Sequence, residues 1–233
     1  MTESIDPSYT LVHQQPEFVI INKRAGVHFH SQDGHAGVVA QVEAQLQRKL
    51  YPVHRLDTPT SGLLLLAGNA IIAADLGRQF EQHQIEKRYL AISDRKPAKK
   101  QGTIEGEMQK SRRSQWKLTR IPKASAKQYA ITQFVTASLG QGLRAYFVRP
   151  LSGRTHQIRV ALKSLGAPIM GDALYGGSPA DRTYLHAYQL SFMINNQRYQ
   201  YRALPQTGEH YQDPNLLEIL AQWQQTPPLW PSR

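Results

Sequence analysis

The sequence predicts an α+β fold built on a largely antiparallel sheet. Three observations predict it. Hairpin signals occur at Leu139-Gly140-Gln141-Gly142 and at Asn195-Asn196, each between runs of strand-forming residues. Helical periodicity is confined to four short windows. No Gly-rich stretch lies between a strand and a helix as GxGxxG or a P-loop requires, so neither a doubly wound fold nor a nucleotide cofactor is supported.

The elements follow in order. EFVIIN, residues 17–22, reads as a buried strand. Residues 36–50 read as a helix, with Val38, Val42 and Leu46 on one face. LLLLAG, 63–68, is a short apolar strand ending in glycine. A helix over 70–84 puts Ile72, Leu76 and Phe80 on one face. KRYLAIS, 87–93, is a strand. The stretch 95–127 holds short strands and turns punctuated by Gly102, Gly106 and Pro122. Residues 128–138 and 143–149 form the first hairpin. A helix spans 155–165, with Thr155 as its cap and Gly166 as its stop. Residues 184–194 and 197–204 form the second hairpin, and a helix at 214–224 precedes a Pro-rich tail. No repeat is evident.

Composition excludes several classes. A chain of 233 residues suits one large domain or two small ones. With 40% hydrophobic and 19% charged residues it is a globular mixture. It has no cysteine, which removes disulfides, thiolate zinc sites and cysteine nucleophiles. No apolar run approaches the roughly 18 residues of a membrane span. The start, MTESIDPSYT, carries no signal-peptide pattern. The expectation is a soluble cytoplasmic protein without a membrane partner.

Charge is the stronger clue. The formal net charge is +11, and residues 95–127 hold eleven Lys/Arg against Glu105 and Glu107. A concentrated positive field attracts a polyanion and releases its counterions. The plainer alternative is a solvated basic hairpin.

Three segments have the residues for chemistry. In PVHRLDTPTSGLLLLA, 52–67, Asp57 sits between a polar turn and an apolar strand, after His54 and Arg55. Reactive groups often project from such loops, although an aspartate there also caps turns. In LSGRTHQIRVALKSLGAPIMGDALYGG, 151–177, Arg159 falls in the first turn of a helix, where the dipole opposes a cation. A carboxylate or phosphate partner would account for it; an exposed arginine is the alternative. In IEKRYLAIS, 85–93, Tyr89 lies on a strand, where tyrosine is ordinarily packing.

Taken together, HRLDTPTSGLLLLA, EKRYLAI, RPLSGRTHQIRV, APIMGDALYGG and YLHAYQLSF resemble, in order, the RluA-type pseudouridine synthases. The resemblance covers about residues 15–205. It implies a pseudouridine synthase fold, with a central mixed, mostly antiparallel sheet, flanking helices and loops, and a catalytic cleft. It implies that Asp57 is the catalytic carboxylate, that Arg159 ion-pairs with it, and that Tyr89 stacks on the target base. Arg55 is implicated in filling the gap left by the flipped nucleotide. No cofactor or metal is implied. The reaction detaches uracil at N1 and rejoins it through C5, on a base extruded from structured RNA, rRNA or tRNA. His54, Arg55, Arg154, Arg112, Arg113 and Lys117 are the expected RNA contacts. The expected organisation is a 1–14 extension, a 15–225 catalytic domain enclosing the basic 95–127 segment, and a 226–233 tail, acting as a monomer without a required protein partner.

The chain departs from the family pattern at Arg24, where NKPAG is usual, and at Ala161, where His is common. Two other readings stay open: a non-catalytic RNA-binding module, and a nucleosidase using Asp57 as general base. His28, His30 and His35, with Asp33, also raise a zinc site, although a polar loop is the simpler reading.

Overall fold

The computed structural model describes residues 8–32, 34–121, 125 and 127–231. Asp33, Pro122 and Lys123 therefore lie outside the described residues. The fold is α+β, as expected, and the chain divides into two compact units. The first runs to Ile85 and takes in Ala187–Leu204; the second comprises Glu86–His186 and Pro205–Arg233.

In the first unit, β1 (Tyr9–Gln14), β2 (Phe18–Lys23), β4 (Ser61–Ala67) and the Ala187–Ile194 part of β10 (Leu185–Ile194) lie side by side. The short β3 (Tyr51–Pro52) adds to β4, and β11 (Gln197–Arg202) pairs with β10. β2 and β4 are antiparallel, Phe18 opposite Ala67 and Lys23 opposite Gly62. Every residue of both strands is buried, which explains their continuous apolar runs. Phe18, Ile20, Leu63, Leu65 and Ala67 share a core with Ile72 and Leu76 of α2 (Ala70–Glu81). Asn69 caps α2 by accepting the Ile72 amide. α1 (Val38–Leu46) is shorter than its periodicity suggests, because Gln47 turns left-handed at φ 49° and ends it. β1 carries no periodic signal; it is an edge strand with mixed burial.

The second unit is an antiparallel ribbon in the order β5 (Glu86–Ser93), β9 (Leu143–Pro150), β8 (Tyr129–Gly140), β6 (Gln101–Lys110), β7 (Trp116–Thr119). Both predicted hairpins form. Gly140 faces Leu143 across Gln141-Gly142, and Ile194 faces Gln197 across Asn195-Asn196. All four loop residues have positive φ, as a type I′ turn demands. The basic segment departs from expectation. Gly102 and Gly106 do not break the chain but sit inside one ten-residue strand.

α3 (Gln157–Ser164) begins two residues later than predicted, and Thr155 is not its cap. His156 occupies that position at φ 56° with no side-chain cap. The buried Gln157 supplies the order instead. Its Oε1 accepts from the Arg154 amide and Ser152 Oγ, and its Nε2 donates to Ile131 O and Thr132 Oγ1. α4 (Pro214–Gln225) starts at a capping Asp213 followed by proline. Trp223 of α4 and Trp230 of the tail both stack on Phe147, and Gln133 donates to Pro231 O.

Candidate active site

Asp57 is half-buried on the loop between β3 and β4. Its main-chain oxygen accepts the Thr60 amide at 2.9 Å, closing a tight turn over Thr58 and Pro59. A buried cation holds this turn. Lys23, at the end of β2, is fully inaccessible, and its Nζ donates to Arg24 O, Val27 O and Thr58 O. An ammonium has three protons to give, and three carbonyls receive them. The Gly26 amide also donates to Thr58 O, and Thr58 Oγ1 lies 3.3 Å from His28 Nδ1. The strand-end lysine thus fixes the loop 24–28 and the turn after Asp57 as one piece. Arg24 takes part through its carbonyl, which needs no particular side chain.

Of the loop's basic residues, Arg55 is exposed. His54 is built into the fold: its Nε2 accepts the Leu65 amide at 2.9 Å and its ring stacks on Phe80. That bond requires an unprotonated Nε2. Among the described residues no group of three or more His, Asp or Glu is placed to hold a metal.

In the second unit Arg159 is 5% exposed, so the exposed-arginine alternative is excluded. Its partner within this unit is Asp172, itself 1% exposed. Nε reaches Asp172 Oδ2 at 2.7 Å and Nη2 reaches Oδ1 at 2.8 Å. The dipole argument asks for a carboxylate or phosphate near this cation, and Asp172 is such a carboxylate. A bidentate fork of this kind sets direction as well as energy.

Tyr175 completes the cluster. The guanidinium lies over its ring, 4.9 Å from the centroid. Its hydroxyl accepts the Trp116 amide of β7 and lies 2.7 Å from His156 Nδ1. Both Asp172 and Tyr175 come from APIMGDALYGG, whose backbone is forced. Gly171 sits at φ 76°, and a β-carbon there would meet the Arg182 carbonyl oxygen at 1.8 Å. Neither residue stands out in the sequence; the uncompensated charge at Arg159 is the signal that points toward one.

Tyr89 is half-buried on β5 opposite Val148. Lys87 shares its strand face; its Nζ donates to Ser152 O, and burial pulls its pKa down to about 8. Arg154 is partly committed to the fold through Nε to Tyr129 O. Arg112 and Arg113 are exposed at the β6–β7 turn, where Arg113 and Ser114 adopt positive φ, and Lys117 is exposed beside it on β7.

Comparison with known proteins supplies the class of enzyme to which this fold and site belong. Residues 17–164 match the RNA pseudouridylate synthase family. An RNA pseudouridine synthase of Haemophilus influenzae is 45% identical over 89% of this chain and 92% of its own. A tRNA pseudouridine synthase C of Yersinia pestis is 30% identical over 91% and 86%. A ribosomal large subunit pseudouridine synthase C of Rickettsia bellii is 36% identical over 71% of this chain and 56% of its own length. The structure of human RNA pseudouridylate synthase domain containing 1 has the same fold, with a TM-score of 0.74 at 22% identity, covering 94% of this chain and 96% of that one. The chain belongs to the RluA-type RNA pseudouridine synthases, which are isomerases.

Proposed function

We propose that the protein isomerises one uridine in a tRNA or rRNA stem-loop, with Asp57 as the catalytic carboxylate. The observation that carries this reading is the HRLD turn, tied down by Lys23 and the Thr60 amide, in a chain of this family. Single-stranded loops allow a base to be splayed out, and the target must leave its stack to be reached. The C1′–N1 bond breaks and a C1′–C5 bond forms. N1 takes up a proton, and the hydrogen at C5 leaves to water. Asp57 acts ionised, on the sugar or on the charge that develops there. Arg159 serves as its guanidinium partner, favouring the anion in a desolvated pocket. Asp172 holds that guanidinium in direction by two of its donors. Tyr89 is the stacking platform for the released base, and Arg55 occupies the gap left in the RNA. Arg112, Arg113, Lys117 and Arg154 contribute positive charge to the RNA path. No cofactor or metal has a role in this scheme, and one chain suffices.

The relatives in Yersinia pestis and Rickettsia bellii are named for tRNA and for large-subunit rRNA, which frames the substrate choice. The test uses RNA carrying tritium at uridine C5. The parent protein releases tritium to water; Asp57→Asn releases none and binds RNA as the parent does. Tritium release that persists in Asp57→Asn refutes the assignment. Free uracil in place of pseudouridine replaces isomerisation by hydrolysis.

A further inference from the structure

The pairings Gly102↔Phe134, Ile104↔Thr132 and Gly106↔Ala130 place Gly102, Ile104 and Gly106 on one face of β6. Met108↔Leu118 adds Leu118 of β7 to that face. Two of these positions have no side chain. Further along β6 the same face is filled, since Met108 and Ala130 pack against Val160 of α3 and Tyr175. At Gly106 the Thr119 carbonyl and the Leu118 side chain take up the space, whereas beside Gly102 there is room, with only the Phe134 ring edge and the Lys99 stem at ordinary contact distance. The helix stops at Ser164, and a cavity of about 770 Å³ opens between its end, the loop at Ala98–Lys99 and the glycine face. That volume lies in the roughly 300–1,000 Å³ range of small-ligand sites.

The lining has two characters. Ile104, Leu118, Ile121, Phe134 and Leu165 make an apolar interior. Lys99 and Arg120 stand exposed at its mouth, and the aliphatic part of Lys99 passes beside Gly102. Glu105 and Tyr129 also border the cavity, but alternation turns the Glu105 side chain to the opposite face, and desolvation, helped by its negative charge, raises the Tyr129 pKa there. The interior is therefore apolar and the entrance cationic, with both cations drawn from the chain's most basic stretch, 95–127. An amphiphile with a flat apolar body and an anionic end matches that order. On an RNA-modifying enzyme this describes one unstacked base with its phosphate. A paired base does not qualify, since its faces are stacked and its edges occupied.

We propose that this cavity binds a single unpaired nucleotide of the RNA substrate, distinct from the uridine that reacts. The base enters between β6 and the end of α3, and Lys99 and Arg120 hold its phosphate. The inference rests on the reading of the protein as an RNA isomerase. It adds a second point of recognition, selecting RNAs that carry a bulged or looped-out residue at a fixed distance from the target.

The test fills the cavity from positions outside the proposed catalytic groups. Ala98→Trp and Ser164→Trp each place an indole at its mouth, and the double variant Lys99→Glu/Arg120→Glu reverses the charge there. The probe is bulk RNA labelled with tritium at uridine C5, taken from cells lacking the protein. One stacked base contributes about fivefold or more to affinity. Each folded variant is expected to raise Kd by at least that factor, with tritium release at saturating RNA within twofold of the parent. RNA containing 4-thiouridine is expected to cross-link to β6 or β7 in the parent and not in the tryptophan variants. Kd values that stay within twofold of the parent in all three folded variants overturn the proposal. So does tight binding of free uridine 5′-monophosphate that the tryptophans abolish while RNA affinity stands, since the site is then one for a free nucleotide. A parent protein that releases no tritium defeats the isomerase reading instead, and the Kd series still decides the cavity.

Discussion

Asp172 holds Arg159 by both carboxylate oxygens, at 2.7 and 2.8 Å, in surroundings from which water is excluded. Breaking a buried pair leaves an uncompensated charge, which costs about 3–5 kcal/mol. Asp172→Ala is expected to lose that much stability in urea unfolding. Asp172→Asn, which keeps an acceptor oxygen, is expected to lose less, and to lower the rate of tritium release more than the affinity for RNA. If both variants unfold at the parent's midpoint, the pair does not support the fold.

Lys23 offers a second test on the other segment. A buried polar group left without its partner costs about 1–3 kcal/mol, and Lys23→Met takes the shared donor from the carbonyls of Arg24, Val27 and Thr58, the last of which keeps the Gly26 amide. The expected loss is at least about 2 kcal/mol, with the rate constant for isomerisation falling because the turn after Asp57 loses its anchor. Normal turnover in a destabilised Lys23→Met protein would confine the residue to a structural role.

Lys87 gives a pH dependence. Burial lowers its pKa from 10.5 to about 8. Below pH 8 both folded and unfolded chains carry the proton, and the folded state bears the cost of burying it. Between about 8 and 10.5 the unfolded chain still holds the proton and the folded chain has released it, so this group makes stability rise with pH. The difference in urea midpoint between the parent and Lys87→Met is expected to grow in the parent's favour across that window. A constant difference would show that Lys87 titrates normally.

Gly171 is fixed by geometry. Its positive φ and the carbonyl 1.8 Å from any β-carbon leave no room for alanine. Gly171→Ala is expected to cost at or above the ~3 kcal/mol upper end of overpacking and to displace Asp172. Gly140→Ala, also at positive φ but with open space around it, is expected to cost less. Thermal unfolding of the two ranks them.

Much of this is legible in the residues. The two type I′ turns announce their hairpins, and the apolar run at 63–67 announces a strand buried on both faces. The dipole argument at Arg159 asks for an anion. It does not say which one, because contact between residues 159 and 172 depends on the tight backbone at Gly171, not on any periodicity. The cap at α3 misleads for a related reason. Thr155 has the right chemistry, but the buried amide of Gln157 already serves that turn, and a side chain bonded in four directions leaves no pattern in the sequence. His54 reads as a cation beside an aspartate; only the structure shows its ring nitrogen engaged by the Leu65 amide. The glycines of β6 read as breaks because a strand that gives up its side chains on one face looks, in one dimension, like a turn.

The first unit is completed by chain that comes late. β4 ends at Ala67, and its neighbour in that unit, the Ala187–Ile194 part of β10, follows 120 residues further on. At a translation rate of about 5–20 residues per second, β4 can pair with β2 and β3 as it emerges, but the β10-facing edge of the wholly buried SGLLLLA waits roughly 6–24 s outside the ribosome for its partner. A nascent chain in that interval presents a sticky strand edge, so the yield of folded protein should depend on chaperone supply during synthesis far more than the stability of the finished molecule suggests.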